Sequence, residues 1–130
     1  MHLKIITHER VVFDEDVDAI YTKGIDGEFG VLPGHIPIMA ALDIGVTRVV
    51  QEGNEKSFAT MGGVLQLKDD RAVILTNTAE CEHEIDILRA KEALARAETH
   101  LKEAKAQQEA KRAQAAMARA LARLKATLNK

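Results

Sequence analysis

The chain has few aromatic side chains: phenylalanine and tyrosine make up 3% of its 130 residues, and tryptophan is absent. Binding of single-stranded nucleic acid by base stacking needs such side chains, so this class of function is disfavoured. The single cysteine, Cys81, excludes a disulfide within these residues and fits a reducing compartment. A transmembrane helix is not predicted, because no run of about 18 apolar residues occurs. The first ten residues also lack the charged-then-apolar layout of a signal peptide.

Charge is unevenly distributed along the chain, although the net charge of the whole chain is only −2. Residues 1–85 hold 7 basic and 15 acidic side chains, a net charge of −8, whereas residues 86–130 hold 11 and 5, a net charge of +6. A boundary near Asp86 therefore separates an acidic part from a basic part.

Short segments rich in β-branched and apolar residues follow one another through the acidic part. Turn signals separate several of them, at Asp26-Gly27, Glu52-Gly53-Asn54 and Asp69-Asp70. Strands at this density, with no helical pattern between them, predict an antiparallel β-sandwich or barrel over residues 1–84. The predicted strands are LKIIT, RVVFD, VDAIYT, HIPIMAAL, GVTRVV, KSFATM, GVLQL and RAVILTN.

Residues 85–130 are predicted to form a helical hairpin. From residue 86 onward glycine and proline are absent, and alanine, leucine, lysine, arginine and glutamate dominate. Two apolar stripes are out of phase, so a break somewhere near Lys105 to Arg112 is needed before they can face each other. No breaker residue marks that break, which predicts a hairpin able to open. The stripes are Ile87, Ala90, Leu94, Ala97, Leu101 and Ala104, then Met117, Leu121, Leu124 and Leu128.

The motif EIDILRA, residues 84–90, stands at the start of the first predicted helix. Asp86 can cap that helix, because a side-chain acceptor before the first turn satisfies a free backbone N–H group. Arg89 has no such role, since a cation in the first turn opposes the helix dipole. The motif therefore contains one residue that a helix start explains and one that it does not.

Four arginines share this helical part in two pairs. Arg89 and Arg96 are seven residues apart on one face of the first helix, and Arg119 and Arg123 are four apart on the second. In a closed hairpin the pairs could converge, and a polyphosphate is the anion that four guanidinium groups favour. Free N–H groups at the helix N-terminus would add donors for the same anion.

Carboxylates near these arginines indicate which other groups the ligand carries besides phosphates. Glu80 and Asp86 cannot bind phosphate, but they could accept hydrogen bonds from an amino group or from hydroxyls. Together with the arginines they favour a nucleotide. A solvated basic helix surface is the alternative that spacing alone leaves open.

A second segment with functional features is DGEFGVLPGHIP, residues 26–37. It lacks the Gly-Lys-Ser/Thr ending of a phosphate-binding loop. Its glycines and prolines fit a shaped β-connection. Phe29, Val31 and Leu32 are apolar within this turn-rich segment, and they favour a docking loop as the alternative.

Catalytic and metal sites are not predicted. Cys81 and His83 could supply two ligands, but zinc requires three or four. Ser57 is the only serine and has no base in a recognisable pattern. The carboxylates of residues 14–16 are interpreted as a solvated turn.

Three motifs carry a resemblance to a known family. They are GEFGVLPGHIPIMAAL at residues 27–42, TMGGVLQLKDDRAVILTNTAE at residues 60–80 and IDILRA at residues 85–90. With them the whole chain resembles the epsilon subunit of the F-type ATP synthase, a family that has an N-terminal β-sandwich and a C-terminal two-helix hairpin. IDILRA is similar to the nucleotide-binding signature of a subset of epsilon subunits.

The resemblance implies a non-catalytic, regulatory subunit in the central stalk of an enzyme that couples proton or sodium-ion flow to ATP synthesis. The sandwich would bind the gamma subunit and the rotor c-ring at the cytoplasmic face of the bacterial plasma membrane, without inserting into it. The extended hairpin would enter the alpha-beta catalytic head and block ATP hydrolysis. Docking on gamma and the ring is expected to involve Glu28, Phe29, Val31, Leu32 and His35.

The same resemblance implies ATP as a regulatory ligand that holds the hairpin folded, and it leaves open whether magnesium accompanies the nucleotide. The ATP-binding residues expected from it are Glu80, Ile85, Asp86, Arg89, Ala90, Arg96, Arg119 and Arg123.

Three other functions fit part of the sequence. A basic helical module could bind nucleic acid, with affinity that falls steeply with salt. A small ATPase could use the same charged residues, although a phosphate-binding loop and a plausible base are missing. An amphipathic helix could lie on a membrane surface, which the lack of large aromatic residues disfavours.

Overall fold

The computed structural model describes residues 1–129 of the chain and the side chains of residues 1–128. In this range strands fill the first part of the chain and helices fill the second, which confirms the predicted fold class. The strands are β1 (His2–Ile6), β2 (Val11–Asp16), β3 (Ala19–Gly24), β4 (Gly27–Val31), β5 (Ile38–Gln51), β6 (Asn54–Lys68), β7 (Arg71–Leu75) and β8 (Ala79–Cys81). The helices are α1 (Ile87–Glu103) and α2 (Gln107–Ala126), and 3₁₀ turns occupy Glu82–Glu84 and Thr127–Asn129.

The strands form a sandwich because two long strands serve both layers. Strand order is β2-β1-β7-β6-β5-β3-β4, and β8 also pairs with β6. The second half of β6 pairs with β7, whereas residues 58–60 in its first half pair with β8. Pairing is antiparallel throughout these strands except between β1 and β7, which run parallel. The apolar side chains of both layers meet in one core.

Two pairs of predicted strands are single strands in the structure. GVTRVV and the last five residues of HIPIMAAL belong to the continuous β5, which begins at Ile38, and KSFATM and GVLQL belong to β6. Gly62 and Gly63 allow β6 to continue, because both have positive φ and a Cβ on Gly63 would collide with the backbone oxygen of Leu75. The prediction of separate strands was wrong, and in β6 the physical reason is that the glycine pair forms a bend within one strand.

The predicted helical break is confirmed and lies at residues 104–106. Here the Oε2 atom of Glu109 accepts a hydrogen bond from the Lys105 backbone N–H group at 3.3 Å. This bond ties the first turn of α2 to the residue before its N-cap, Ala106, which has no side-chain acceptor of its own. The predicted Asp86 cap of α1 is also confirmed, as its Oδ1 atom accepts from the Arg89 N–H group at 3.1 Å.

The prediction that the second apolar stripe is buried is only partly confirmed. Met117 and Leu124 are partly buried, but Leu121 is 43% exposed and Leu128 is 78% exposed. Alanines fill the helix interfaces instead: Ala122 and Ala126 pack on the outer face of the sheet, beside Ala59 and Met61. In the first stripe only Ile87 is exposed. Helix α2 therefore lies on β5 and β6, and α1 packs mainly on α2.

In residues 1–129 no helix combines the length and the apolar composition that crossing a bilayer requires.

Candidate functional site

A cleft of about 350 Å³ opens where the chain passes from the sandwich to the helices. Its walls come from β8, the following 3₁₀ turn, the first three turns of α1 and one side chain of α2. The lining residues are Glu80, Glu84, Ile85, Asp86, Arg89, Ala90, Ala93, Arg96 and Arg123. Seven of the eight residues predicted to bind ATP are among them, and the identity of the ligand stays a prediction.

Local sequence explains how the floor of the cleft forms. Ile85 and Ala90 are buried, and Ile85 joins the alanine cluster that α2 makes on the sheet. The Asp86 cap starts α1 immediately after Ile85, so the first turn of the helix is fixed at the mouth of the cleft. Arg89 and Arg96 follow on one face of α1, both exposed.

The cleft brings guanidinium groups and carboxylates close together, and one such pair is in direct contact. The Nε atom of Arg123 donates a hydrogen bond to Oε1 of Glu80 at 2.9 Å, which ties α2 to β8. Arg89 and Arg96 form no ion pair with any side chain of residues 1–128. The arrangement therefore offers always-charged donors for an anionic group beside acceptors for amino or hydroxyl groups.

Arg119 is the predicted ligand residue that the cleft does not include. It lies one turn before Arg123 on α2 and is partly buried, but it is absent from the lining. The expected convergence of two arginine pairs is therefore a convergence of three arginines in this structure.

Two lining residues, Glu84 and Ala93, were missed from the sequence. Ala93 follows Ala90 by one helical turn and lies on the same face of α1, so it could have been predicted from helical periodicity. Glu84 could not be found in this way, because it lies in the 3₁₀ turn before the helix. Its Oε2 atom accepts a hydrogen bond from Nη2 of Arg10 at 2.8 Å, a contact across 74 positions of sequence.

The predicted docking loop, residues 26–37, contains the strand β4, which was not predicted from the sequence. Glu28 and Phe29 lie in β4, and Val31 at its end is fully buried in the core, so its side chain is not available at the surface. Leu32 and His35 are exposed, and the His35 ring nitrogen Nδ1 hydrogen-bonds the Ile36 carbonyl at 2.7 Å. The exposed apolar side chains of this region are Leu32, Ile36 and Met39.

The acidic segment at residues 14–16 is strand rather than turn, which corrects the interpretation made from its composition. It ends β2 and faces His2 on β1, whose ring nitrogens contact Asp14 and Asp16. Hydrogen bonds that the His2 ring donates to the carboxylate of Asp14 and then to that of Asp16 raise the pKa of His2 above its ordinary value. Among the described residues no three His, Cys, Asp or Glu side chains are placed to hold a metal ion.

Comparison with known families gives two matches that together span almost the entire chain. Residues 1–82 match the family described as ATP synthase, delta/epsilon chain, beta-sandwich domain. Residues 83–127 match the family described as ATP synthase, delta/epsilon chain, long alpha-helix domain.

Curated relatives carry the same description. The chain is 50% identical over 124 residues to the ATP synthase epsilon chain of Pelotomaculum thermopropionicum, covering 95% of this chain and 92% of the relative. It is 44% identical over 99 residues to the ATP synthase epsilon chain of Carboxydothermus hydrogenoformans, covering 76% and 74%.

Solved structures share the fold. A chain in the Euglena gracilis mitochondrial ATP synthase, resolved with OSCP, F1 and the c-ring, has a TM-score of 0.84 and 25% identity, with 97% of this chain and 79% of that chain covered. A chain in the central stalk and c-ring structure of Tetrahymena thermophila mitochondrial ATP synthase has a TM-score of 0.65 at 14% identity, with 98% and 96% covered, and supports the fold alone.

Proposed function

Because the chain belongs to the family of ATP synthase epsilon chains, we propose that it serves as a non-catalytic, regulatory subunit in the central stalk of the enzyme. In this role it takes part in coupling proton or sodium-ion flow to ATP synthesis. Its place is peripheral, at the cytoplasmic face of a bacterial plasma membrane. The high identity to bacterial epsilon chains supports this assignment.

The sandwich docks on the gamma subunit and the rotor c-ring. Support comes from the exposed apolar side chains of Leu32, Ile36 and Met39, which lie together in sequence beside the edge strand β4. A group of exposed apolar side chains next to a rigid sheet is typical of a protein interface. The Euglena neighbour was resolved in an assembly that includes F1 and the c-ring.

The cleft between sandwich and helices binds ATP as a regulatory ligand. Arg89, Arg96 and Arg123 supply the charge for the triphosphate, and the N-terminus of α1 supplies a favourable dipole. Glu80 and Asp86 accept hydrogen bonds from the adenosine part. The observation that carries this proposal is the convergence, in one cleft, of three arginines drawn from two helices.

ATP in this cleft stabilises the folded hairpin, because its ligands come from both α1 and α2. A ligand that binds only one of two states shifts the population toward that state. When ATP is released, the helices extend into the alpha-beta catalytic head and inhibit ATP hydrolysis. The alanine contacts between α2 and the sheet suit such a release, since they bury little apolar area per residue.

Calorimetric titration of ATP into the chain, with and without magnesium, tests the site. Removing the Arg89 side chain in Arg89→Ala should weaken binding about 10- to 100-fold, since hydrogen bonds to charged groups contribute about 1.5–3 kcal/mol. Lys91→Ala is the matched control, because Lys91 is exposed on the same helix and does not line the cleft. It should leave the affinity nearly unchanged.

Two results would contradict the proposal. Absence of ATP binding by the unaltered chain would leave Asp86 as a helix cap and Arg89 as a surface charge. Equal losses in Arg89→Ala and Lys91→Ala would indicate general charge attraction and no defined site.

A further inference from the structure

Glu84 is a negative charge in the wall of a cleft that we assign to a polyphosphate. The lining holds three carboxylates, Glu80, Glu84 and Asp86, and three guanidinium groups, so the lining alone has no net charge. Glu80 is paired with Arg123, and Asp86 accepts the Arg89 backbone N–H group. No lining arginine forms an ion pair with Glu84, whose guanidinium partner is Arg10, outside the lining.

Arg10 neutralises Glu84 from outside the cleft. It lies in the turn between β1 and β2, and its Nη2 atom donates to Oε2 of Glu84 at 2.8 Å. The other carboxylate oxygen, Oε1, accepts from the Cys81 backbone N–H group at 3.4 Å. Both carboxylate oxygens of Glu84 therefore accept hydrogen bonds from residues of the sandwich.

The backbone of Arg10 is itself fixed. Its carbonyl oxygen accepts from the Thr7 N–H group at 2.9 Å, and its own N–H group donates to Oγ1 of Thr7 at 3.2 Å. A tight turn thus presents the guanidinium group to Glu84 from a defined position. The contact links the first hairpin of the sandwich to the cleft, although the two are far apart in sequence.

We propose that Arg10 is a positioning residue for the nucleotide, which pairs with Glu84 and thereby gives the cleft the positive charge that a nucleoside polyphosphate requires. This inference rests on the proposed ATP site. With Arg10 included, the charges around the cleft sum to one positive unit. Without it, the negative charge of Glu84 has no cationic partner and repels the phosphates.

Affinity for ATP measures this effect. Arg10→Ala should weaken ATP binding by about two- to fivefold at low salt, the upper part of the range expected for one exposed charge pair. The loss should shrink as salt rises toward physiological strength, because exposed charges are screened. Arg10→Lys should restore most of the affinity, since it keeps the charge within reach of Glu84.

A double-mutant cycle separates this role from general charge attraction. Glu84→Gln alone should tighten ATP binding by a few-fold, because the lining then gains a net positive charge. With Glu84→Gln in place, Arg10→Ala should cost much less than it does in the unaltered chain. Lys68→Ala is the charge-matched control, as Lys68 is exposed at the end of β6 and does not line the cleft.

The outcomes distinguish the two proposals. If the unaltered chain binds ATP and Arg10→Ala binds it equally well, the role of Arg10 is overturned and the ATP site stands. The role is also overturned if Arg10→Ala costs the same factor with and without Glu84, or the same factor as Lys68→Ala. Failure of the unaltered chain to bind ATP overturns both. Thermal unfolding of each variant confirms that it is folded, since both partners of the pair are about half exposed.

Discussion

The sandwich and the helical pair are held together by side chains of very different size. The sandwich core is built from large apolar residues, and Phe13 and Phe58 pack edge to face within it with ring centroids 5.6 Å apart. Helix α2 is attached to the sheet chiefly through Ala122 and Ala126, beside Ala59 and Met61. Buried apolar area determines most of the stabilisation, so the core is far more stable than the helix attachment.

This difference gives one chain two levels of stability. A fully buried phenylalanine or leucine contributes several times more than a buried methyl group. We therefore expect the sandwich to stay folded when α2 leaves its surface, as the proposed release of the hairpin requires. The Glu80–Arg123 ion pair adds a polar contact at this boundary.

The largest effect is expected from Phe58→Ala in the core. Phe58 is buried and contacts Phe13, so its truncation should lower the free energy of unfolding by about 3–5 kcal/mol. Urea unfolding followed by circular dichroism measures the change. Leu75→Ala is the control, since Leu75 is about half exposed on β7, and it should cost much less. Equal costs for the two variants would contradict a core centred on Phe58.

A smaller and more local effect is expected from Ala122→Leu at the helix attachment. Ala122 is buried between α2 and the sheet, and the larger side chain should cost about 1–3 kcal/mol through overpacking. Hydrogen exchange should show lost protection in α2 with unchanged protection in β1 and β7. Ala95→Leu is the matched control on the exposed face of α1. Loss of protection throughout the sandwich would contradict the two levels of stability.

These two regions also differ in what their sequences could predict. The helical break has no breaker residue and follows from the phase difference between two apolar stripes. The Asp86 cap and most strand segments follow from local rules, because each depends on residues close together in the chain. The continuity of β6 through Gly62 and Gly63 does not, since it depends on how closely β7 approaches. The second apolar stripe failed for a related reason: the narrow space against the sheet accepts alanine and leaves Leu121 outside.

The candidate cleft shows the same limit. Arg89, Arg96 and Asp86 could be placed on one side of a helix start from spacing alone. Which side chains complete the wall depends on tertiary packing, which brings in Glu84 with Arg10 and leaves Arg119 out. Helical periodicity grouped Arg119 with Arg123, but the rotation of α2 on the sheet decides which of them reaches the cleft.

The smallest effect concerns the sandwich edge and depends on pH. Hydrogen bonds that His2 donates to Asp14 and Asp16 raise the pKa of His2 above its ordinary 6.5, so the stabilisation that they supply is complete below about pH 6.5 and is lost as the pH rises through the raised value. The same bond to His2 lowers the pKa of Asp16 below its ordinary 3.8, so that contribution is lost as the pH falls through the lowered value. The contact should therefore stabilise the sandwich most between these two ordinary values.

Unfolding free energies of the unaltered chain and His2→Gln measure this contribution. The difference between the two should be larger at pH 6 than at pH 8.5, because glutamine does not titrate and His2 loses its charge in that interval. The effect should be small, since the pair is exposed and salt screens it. A difference that is constant across this interval would show that His2 stabilises the edge by packing or neutral hydrogen bonding, without its charge.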